Sequence, residues 1–213
     1  MSDKVVILAN GKFPEHDIPL EYLKTASKVI CCDGAAHNLI NYGIEPFVIV
    51  GDFDSVDRTK ISNYSDRFQI DSDQETNDLT KAVKWCHKHS ITKVTILGAT
   101  GLREDHTIGN ISLLAEYAHN MNVRMVTDTG EFIAILKAAE IKSFPGQYIS
   151  IFSIDQATEI TSDGLKYPLK NMKLKNWWVA TLNEATGNKF SLLFEGGPLI
   201  IYLKFHEILS VTL

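Results

Sequence analysis

The chain has 213 residues, of which 45% are hydrophobic, so it can form one large domain or two small ones around apolar cores. Its 26 acidic and 21 basic residues give a net charge of -5, which argues against nucleic acid as a partner. The sequence shows no secretory signal and no apolar run near the roughly 20 residues that span a bilayer, which predicts a cytoplasmic protein with no membrane partner.

Short apolar segments alternate with helical stretches in the first 128 residues, which is typical of a parallel sheet. Strands are predicted at residues 5–9, 29–32, 47–50, 68–70, 94–97 and 123–127. Helices are predicted at residues 19–26, at 35–42, and from Asn77 or Asp78 to His89. A fourth helix opens near Asp105, with an expected apolar stripe of Ile108, Ile111, Ala115 and Ala118.

Beyond Asp128, short strands are separated by turn residues, a pattern that indicates antiparallel structure. Strands are predicted at residues 132–136, 148–154, 179–182, 190–194 and 199–205. We therefore predict an α/β fold with two domains. Residues 1–130 form a parallel-sheet α/β domain, and residues 131–213 form a small antiparallel β-sandwich domain.

Glycine follows several of the predicted parallel strands, together with an acid, an amide or a cation. The strand ends run into Asn10-Gly11, Asp33-Gly34, Gly51-Asp-Phe-Asp54 and Gly98-Ala-Thr-Gly-Leu-Arg-Glu-Asp-His106. Ligands of open α/β sheets bind beyond the carboxyl ends of the strands, and glycine allows close approach of backbone N–H groups to a phosphate. These ends, Gly98 and Gly101 included, predict a phosphate pocket.

Four aspartates are expected at loop or helix-start positions near that pocket: Asp52, Asp54, Asp78 and Asp105. Any one of them alone suits a helix cap or a turn. Together they would repel each other unless a cation lies among them, and Mg²⁺ prefers such oxygen ligands. With Arg103 and Lys81 to neutralise phosphate charge, the set predicts phosphoryl-group transfer.

Outside the acidic set, two further groups have a simple structural interpretation. Cys31, Cys32 and Cys86 lack metal or redox spacing and are expected to be buried thiols. Trp177 and Trp178 lie beside lysines in the second domain, where they form either packing contacts or an aromatic wall for a flat organic substrate.

Four motifs together resemble the thiamine pyrophosphokinase family, whose members move a diphosphate group from ATP to thiamine. The motifs are Asp33-Gly-Ala-Ala36, Gly51-Asp-Phe-Asp-Ser55, Glu75-Thr-Asn-Asp-Leu-Thr-Lys81 and Gly101-Leu-Arg-Glu-Asp-His106. The predicted layout, an α/β domain followed by a β domain, is similar to the family's as well. The resemblance thus covers nearly the whole chain.

The resemblance implies roles for individual residues. It implies that Asp52, Asp54, Asp78 and Asp105 hold magnesium and the ATP phosphates, with Asp52, Asp78, Arg103 and Asp105 as the catalytic set. The expected ATP-binding residues are Asn10, Gly11, Asp33, Gly34, Lys81, Gly98, Gly101 and Arg103. It further implies a homodimer with the active site at the subunit interface, closed by the β domain, which would bind thiamine and mediate dimerisation.

The thiamine-contacting residues depart from the family pattern. Where the family often has Ser-Asn, this chain has Leu182-Asn183, so Asn183 is retained as a substrate-binding residue. An aromatic residue that stacks on thiamine in some members corresponds to Ile201 here. Trp177 or Trp178 is the expected substitute.

Two other functions remain open at this point. Asp52-Phe-Asp-Ser-Val56 also resembles the motif of haloacid-dehalogenase-like phosphatases, in which the first aspartate is a covalent nucleophile. Against this, Gly51 separates the strand from Asp52, and the motif at residues 101–106 would have no role. A non-catalytic sensor that binds Mg-ATP without turnover is the second alternative.

Overall fold

A computed structural model of the chain describes residues 4–52, 62–73 and 75–206. The chain divides into two compact units, one of residues 1–128 and one of residues 129–213. Over the described ranges, no helix is both long and apolar enough to cross a membrane.

The N-terminal unit contains a six-stranded parallel sheet. Its strands are β1 (Val5–Leu8), β2 (Lys28–Cys32), β3 (Val48–Gly51), β4 (Phe68–Ile70), β5 (Lys93–Leu97) and β6 (Asn122–Val126). They are arranged in the order β6-β5-β1-β2-β3-β4, and each pairs in parallel with its neighbour. The strands β1, β2 and β3 are almost entirely buried, as expected of strands that are apolar on both faces.

Among the described residues, four α-helices and one 3₁₀-helix connect these strands. They are α1 (Asp17–Lys24), α2 (Ala35–Asn41), the 3₁₀-helix Ser62–Arg67, α3 (Asp78–Lys88) and α4 (Glu104–Tyr117). The Asn77 side chain caps α3 by accepting a hydrogen bond from the Thr80 amide at 2.9 Å. Helix α3 packs against β2 and β3, and α4 packs against β6.

The strands of the C-terminal unit that the structure describes pair in two antiparallel arrangements. Its strands are β7 (Gly130–Ile135), β8 (Ala139–Lys142), β9 (Tyr148–Ser153), β10 (Glu159–Asp163), β11 (Met172–Lys173), β12 (Asn183–Glu184), β13 (Lys189–Glu195) and β14 (Leu199–Lys204). One sheet has the order β12-β9-β14-β7, and the other β11-β10-β13-β8. Apolar side chains from both sheets, among them Ile151, Ile201, Ile160 and Phe190, form one buried core. The predicted fold class is confirmed.

Two local predictions were wrong in whole or in part. The strand predicted at residues 179–182 is not present, because the chain turns at residues 177–180 and the Trp178 carbonyl accepts the Thr181 amide at 3.1 Å. The stripe predicted for α4 is correct only in part. Ala115 is buried as predicted, but Ile108 is exposed, and Asn110, Leu114 and Tyr117 are also buried. An apolar pattern assigns asparagine to the exposed face of a helix because the residue is polar. Hydrogen bonds can nevertheless make its burial favourable.

Candidate active site

A crevice of about 340 Å³ lies in the N-terminal unit, where the strand order reverses. The strands β2, β3 and β4 lie on one side of β1, and β5 and β6 lie on the other. Ligands of open α/β sheets bind at such a switch point. Four of the predicted site residues line the crevice: Asn10, Gly11, Asp78 and Arg103.

The loops that follow β1 and β5 are joined by backbone hydrogen bonds. The Gly11 amide donates to the Gly98 carbonyl at 2.6 Å, and the Lys12 amide donates to the Thr100 carbonyl at 2.8 Å. A Cβ atom at Gly11 would come within 2.4 Å of the Gly98 carbonyl oxygen, and Gly98 itself has φ +63°. Glycine is therefore required at both positions by loop packing, whether or not a ligand is bound.

The predicted residues at the carboxyl ends of β1, β2 and β3 lie close to one another. A Cβ atom at Gly34 would lie 2.7 Å from Asn10 Nδ2, and one at Gly51 would lie 2.9 Å from Asp33 Cβ. The Asp33 side chain is buried, its φ is +29°, and its amide donates to the Val50 carbonyl at 2.9 Å. The three strand ends thus form one closely packed rim.

Lys81 joins two of the predicted metal ligands. Its Nζ lies 3.1 Å from Asp78 Oδ1 and 3.2 Å from Asp52 Oδ2. The Lys81 side chain is only 2% exposed, whereas those of Asp52 and Asp78 are 22% and 35% exposed. Burial lowers the pKa of Lys81, but the hydrogen bonds to Asp78 and Asp52 and their charges outweigh it, so the pKa lies above its ordinary value.

Arg103 and Asp105 form an ion pair with each other at the start of α4. The Arg103 Nη2 and Nε atoms lie 2.5 Å from Asp105 Oδ2 and 3.1 Å from Asp105 Oδ1, respectively. Hydrogen bonds from Arg103 and from the His106 amide, with the Arg103 charge, lower the pKa of Asp105 to about 2. Both side chains are mostly exposed, so little free energy is needed for another anion to replace the Asp105 carboxylate as the partner of Arg103.

The four-aspartate metal site stays a prediction. Asp54 lies outside the described residues. Within the described ranges, no three histidine, cysteine, aspartate or glutamate side chains are close enough to hold a metal ion. Asp52 and Asp78 nevertheless reach the same ammonium group, so hard carboxylate oxygens converge at one point. This donor chemistry suits Mg²⁺.

Several crevice residues were not predicted from the sequence as site residues. Asn77 and Asn110 line the crevice and hydrogen-bond to each other, at 3.1 Å between Asn77 Nδ2 and Asn110 Oδ1. Asn77 lies in the motif at residues 75–81 but was not predicted to face the crevice, and no motif signals its contact with Asn110, which joins positions 33 residues apart. Cys32 also lines the crevice, but burial raises the pKa of its thiol well above the ordinary value and keeps it protonated. All three cysteines are free and buried, as predicted.

The predicted substrate-binding residues of the C-terminal unit differ in exposure. Asn183 is buried, and its side chain accepts from the Tyr167 amide at 3.1 Å and donates to the Tyr167 carbonyl at 2.7 Å. Trp178 is 73% exposed, and Trp177 is partly covered by Phe152, with ring centroids 5.7 Å apart. Leu182 is 74% exposed at φ +56°. Asn183 therefore supports the loop, and the tryptophans form an exposed apolar surface.

A parallel sheet with a polar crevice at its switch point defines an α/β protein of the class that binds phosphate-bearing ligands. Residues 20–127 match the family model described as the thiamin pyrophosphokinase catalytic domain. Residues 130–202 match the model described as the thiamin pyrophosphokinase substrate-binding domain. The chain belongs to the thiamine pyrophosphokinase family.

Individual relatives match across most of their length. A thiamine pyrophosphokinase of Bacillus subtilis is 28% identical over 207 residues, which cover 92% of this chain and 95% of that protein. Thiamin pyrophosphokinase 1 of Caenorhabditis elegans is 26% identical over 179 residues, which cover 76% of this chain and 73% of that protein.

Solved structures also match this chain over most of its length. The crystal structure of the B. subtilis thiamine pyrophosphokinase has a TM-score of 0.77 at 25% identity, and the match covers 94% of this chain and 98% of that one. The Candida albicans thiamin pyrophosphokinase has a TM-score of 0.80 at 18% identity, covering 96% and 90%, which shows a common fold. The predicted family is confirmed, and the matches favour it over the phosphatase alternative. The prediction of an enzyme is confirmed too, because residues 20–127 match a catalytic domain.

Proposed function

We propose that the protein transfers the diphosphate group of ATP to the hydroxyl of thiamine, with Mg²⁺, giving thiamine diphosphate and AMP. Family membership supports the reaction, and one structural observation supports its location. Lys81, Asp52 and Asp78 meet beside the switch-point crevice, where a phosphate chain and its counter-ion would find both cationic and carboxylate partners.

In this reaction the thiamine hydroxyl attacks the β-phosphorus of ATP, and the bond to the α-phosphate breaks so that AMP leaves. Arg103 and Lys81 stabilise the negative charge that spreads over the phosphoryl oxygens. Arg103 becomes available when phosphate replaces Asp105 as its partner. The ATP-binding role of Asn10, Gly11, Asp33, Gly34, Gly98 and Gly101 is part of the same proposal.

Asp52 and Asp78 would hold the magnesium ion, together with Asp54 and Asp105 in the full predicted set. When bound, the ion supplies charge neutralisation for the ATP phosphates. Asp52 and Asp78 already present their oxygens to one cation, the Lys81 ammonium, which supports the assignment.

We also propose a cytoplasmic homodimer in which the C-terminal unit of one subunit completes the active site of the other and binds thiamine. The described residues that line the crevice include no phenylalanine, tyrosine or tryptophan. A flat organic substrate therefore needs an aromatic surface from elsewhere. Trp177 and Trp178 are exposed and lie shortly before Asn183 in the sequence, and they supply such a surface.

Product analysis tests the proposed reaction. Purified protein is incubated with ATP, MgCl₂ and thiamine, and the products are separated by liquid chromatography. Thiamine diphosphate and AMP are expected in equal amounts, and neither is expected when thiamine or MgCl₂ is left out. Asp52→Asn should lower the rate by about 10² to 10³.

Each alternative predicts a different product pattern. Phosphate release without thiamine, with a phosphoryl group trapped on Asp52, would indicate a phosphatase. Mg-ATP binding without turnover would indicate a nucleotide sensor. ADP and thiamine monophosphate as products would contradict diphosphate transfer.

A further inference from the structure

Asn110 is a buried polar residue of α4 whose side chain faces two other segments of the crevice. Its Nδ2 donates to the Ala99 carbonyl at 2.9 Å, and its Oδ1 accepts from Asn77 Nδ2 at 3.1 Å. Asn77 in turn caps α3, because its Oδ1 accepts the Thr80 amide at 2.9 Å. The Asn77–Asn110 pair therefore links α4, the loop after β5 and the start of α3.

The start of α3 carries two of the groups proposed to act on ATP. Asp78 is the first residue of α3, and the Lys81 amide donates to the Asn77 carbonyl at 3.0 Å. The Lys81 ammonium then reaches back to Asp78 and across to Asp52. A shift of Asn77 would consequently move both Asp78 and Lys81 relative to the crevice.

We propose that Asn110 is a positioning residue, which acts through Asn77 to fix Asp78 and Lys81 against the loop at residues 98–101. The inference rests on the proposed diphosphate transfer, because it assigns Asp78 and Lys81 a part in that reaction. Asn110 is largely buried, which strengthens the constraint, since its amide would lose its hydrogen-bond partners if α3 moved.

A second contact between the same two helices provides a matched control. Thr80 Oγ1 and the Tyr117 hydroxyl lie 2.6 Å apart and are buried, so this pair also links α3 to α4. Neither residue lines the crevice, and both border a separate cavity between the two helices. Tyr117→Phe removes this hydrogen bond and leaves the Asn77–Asn110 pair in place.

The test compares Asn110→Ala, Asn77→Ser, their double variant and Tyr117→Phe. Serine at position 77 retains a helix cap and loses the contact with Asn110, so this variant should fold normally. We expect Asn110→Ala and Asn77→Ser each to lower kcat about 10- to 100-fold while KM for Mg-ATP changes less than about threefold. The double variant should be no slower than the slower single variant, because both changes break one link.

Tyr117→Phe should keep kcat within about twofold of the wild type, even if its Tm falls as far as that of Asn110→Ala. Wild-type kcat in Asn77→Ser would overturn the proposal, since a loss confined to Asn110→Ala would mean that Asn110 acts without Asn77. Multiplying effects in the double variant would overturn it too.

Amide hydrogen exchange gives a readout that does not need activity. In Asn110→Ala, the Lys81 amide should exchange its hydrogen at least about fivefold faster than in the wild type. Tyr117→Phe should change this exchange rate less. Unchanged Lys81 exchange in Asn110→Ala would overturn the proposal. If the wild type makes no thiamine diphosphate, the proposed function fails, and the exchange result alone decides whether Asn110 positions α3.

Discussion

Lys81 forms ion pairs with two carboxylates of the candidate active site. Its ammonium neutralises Asp52 and Asp78, which would otherwise repel each other at the edge of the crevice. Because the pKa of folded Lys81 is raised above 10.5, this stabilisation is fully present below about pH 10.5 and is lost as the pH rises through the folded pKa. The protein therefore carries a built-in cation where the proposed metal ion would bind.

Lys81→Met should lower stability in the absence of metal by about 1 to 3 kcal/mol, because two carboxylates lose a hydrogen-bonded partner. MgCl₂ should raise the Tm of this variant more than that of the wild type, since no ammonium competes for the carboxylates. Lys84→Met, which removes only an exposed ion pair with Asp73, is the control. Equal Tm shifts with MgCl₂ and with NaCl of the same ionic strength would contradict the proposed metal site.

Arg103→Gln should raise the pKa of Asp105 from about 2 toward its ordinary value of 3.8. The value should stay below 3.8, because the His106 amide still donates to Asp105 at 2.9 Å. The sign follows from the charge: loss of a cation makes the carboxylate easier to protonate as the pH falls. NMR titration of Asp105 measures the shift, and an unchanged pKa would mean that the pair does not form in solution.

At the scale of secondary-structure elements, hydrogen bonds explain the two local predictions that the apolar pattern alone got wrong. The apolar pattern of α4 predicted an inner stripe of Ile108, Ile111, Ala115 and Ala118. Ile108 is nevertheless exposed, and Asn110 is buried, with its amide hydrogen-bonded to Ala99 and Asn77. Similarly, the β-branched and apolar residues 179–182 form no strand, because local turn bonds hold this segment. The periodicity of a sequence shows only which residues are polar. Whether a polar side chain can be buried depends on the hydrogen-bond partners that the fold brings to it.

Two glycines of the N-terminal unit should respond oppositely to alanine. Gly11→Ala should cost about 1 to 3 kcal/mol, because the added Cβ would meet the carbonyl oxygens of Gly98 and Thr100 at 2.4 and 2.7 Å. Gly109→Ala should instead stabilise the protein by about 0.5 to 1 kcal/mol, since Gly109 lies inside α4 with open space around it. Urea unfolding measures both, and equal stability of the two variants would contradict the loop packing.

At the scale of the whole molecule, each unit has its own core and a different type of sheet. The N-terminal unit buries parallel strands and carries the charged crevice, whereas the C-terminal unit is a sandwich with exposed aromatic side chains. Under the proposed function, the N-terminal unit binds the phosphates of ATP, and the exposed aromatic side chains of the C-terminal unit bind thiamine in the proposed dimer.

Trp178→Ala should raise KM for thiamine at least about fivefold or weaken dimerisation, with little change in Tm, because the side chain is 73% exposed. Leu193→Ala, which removes a side chain of 61% exposure from β13, should leave both properties unchanged. Sedimentation and steady-state kinetics provide the measurements. A wild-type mass equal to that of one 23.8 kDa chain at working concentration would rule out the dimer.

The sequence alone determined the fold class, the positions of the parallel strands and the set of polar residues at their ends. Strand periodicity and turn residues are local properties, and the carboxyl ends of parallel strands must share one edge. Only the tertiary structure decided which residues meet. Asp52 and Lys81 are 29 positions apart, and Asn77 and Asn110 are 33 apart. Such contacts depend on strand order, which no local pattern encodes, because β5 pairs with β1 although β2, β3 and β4 lie between them in the chain.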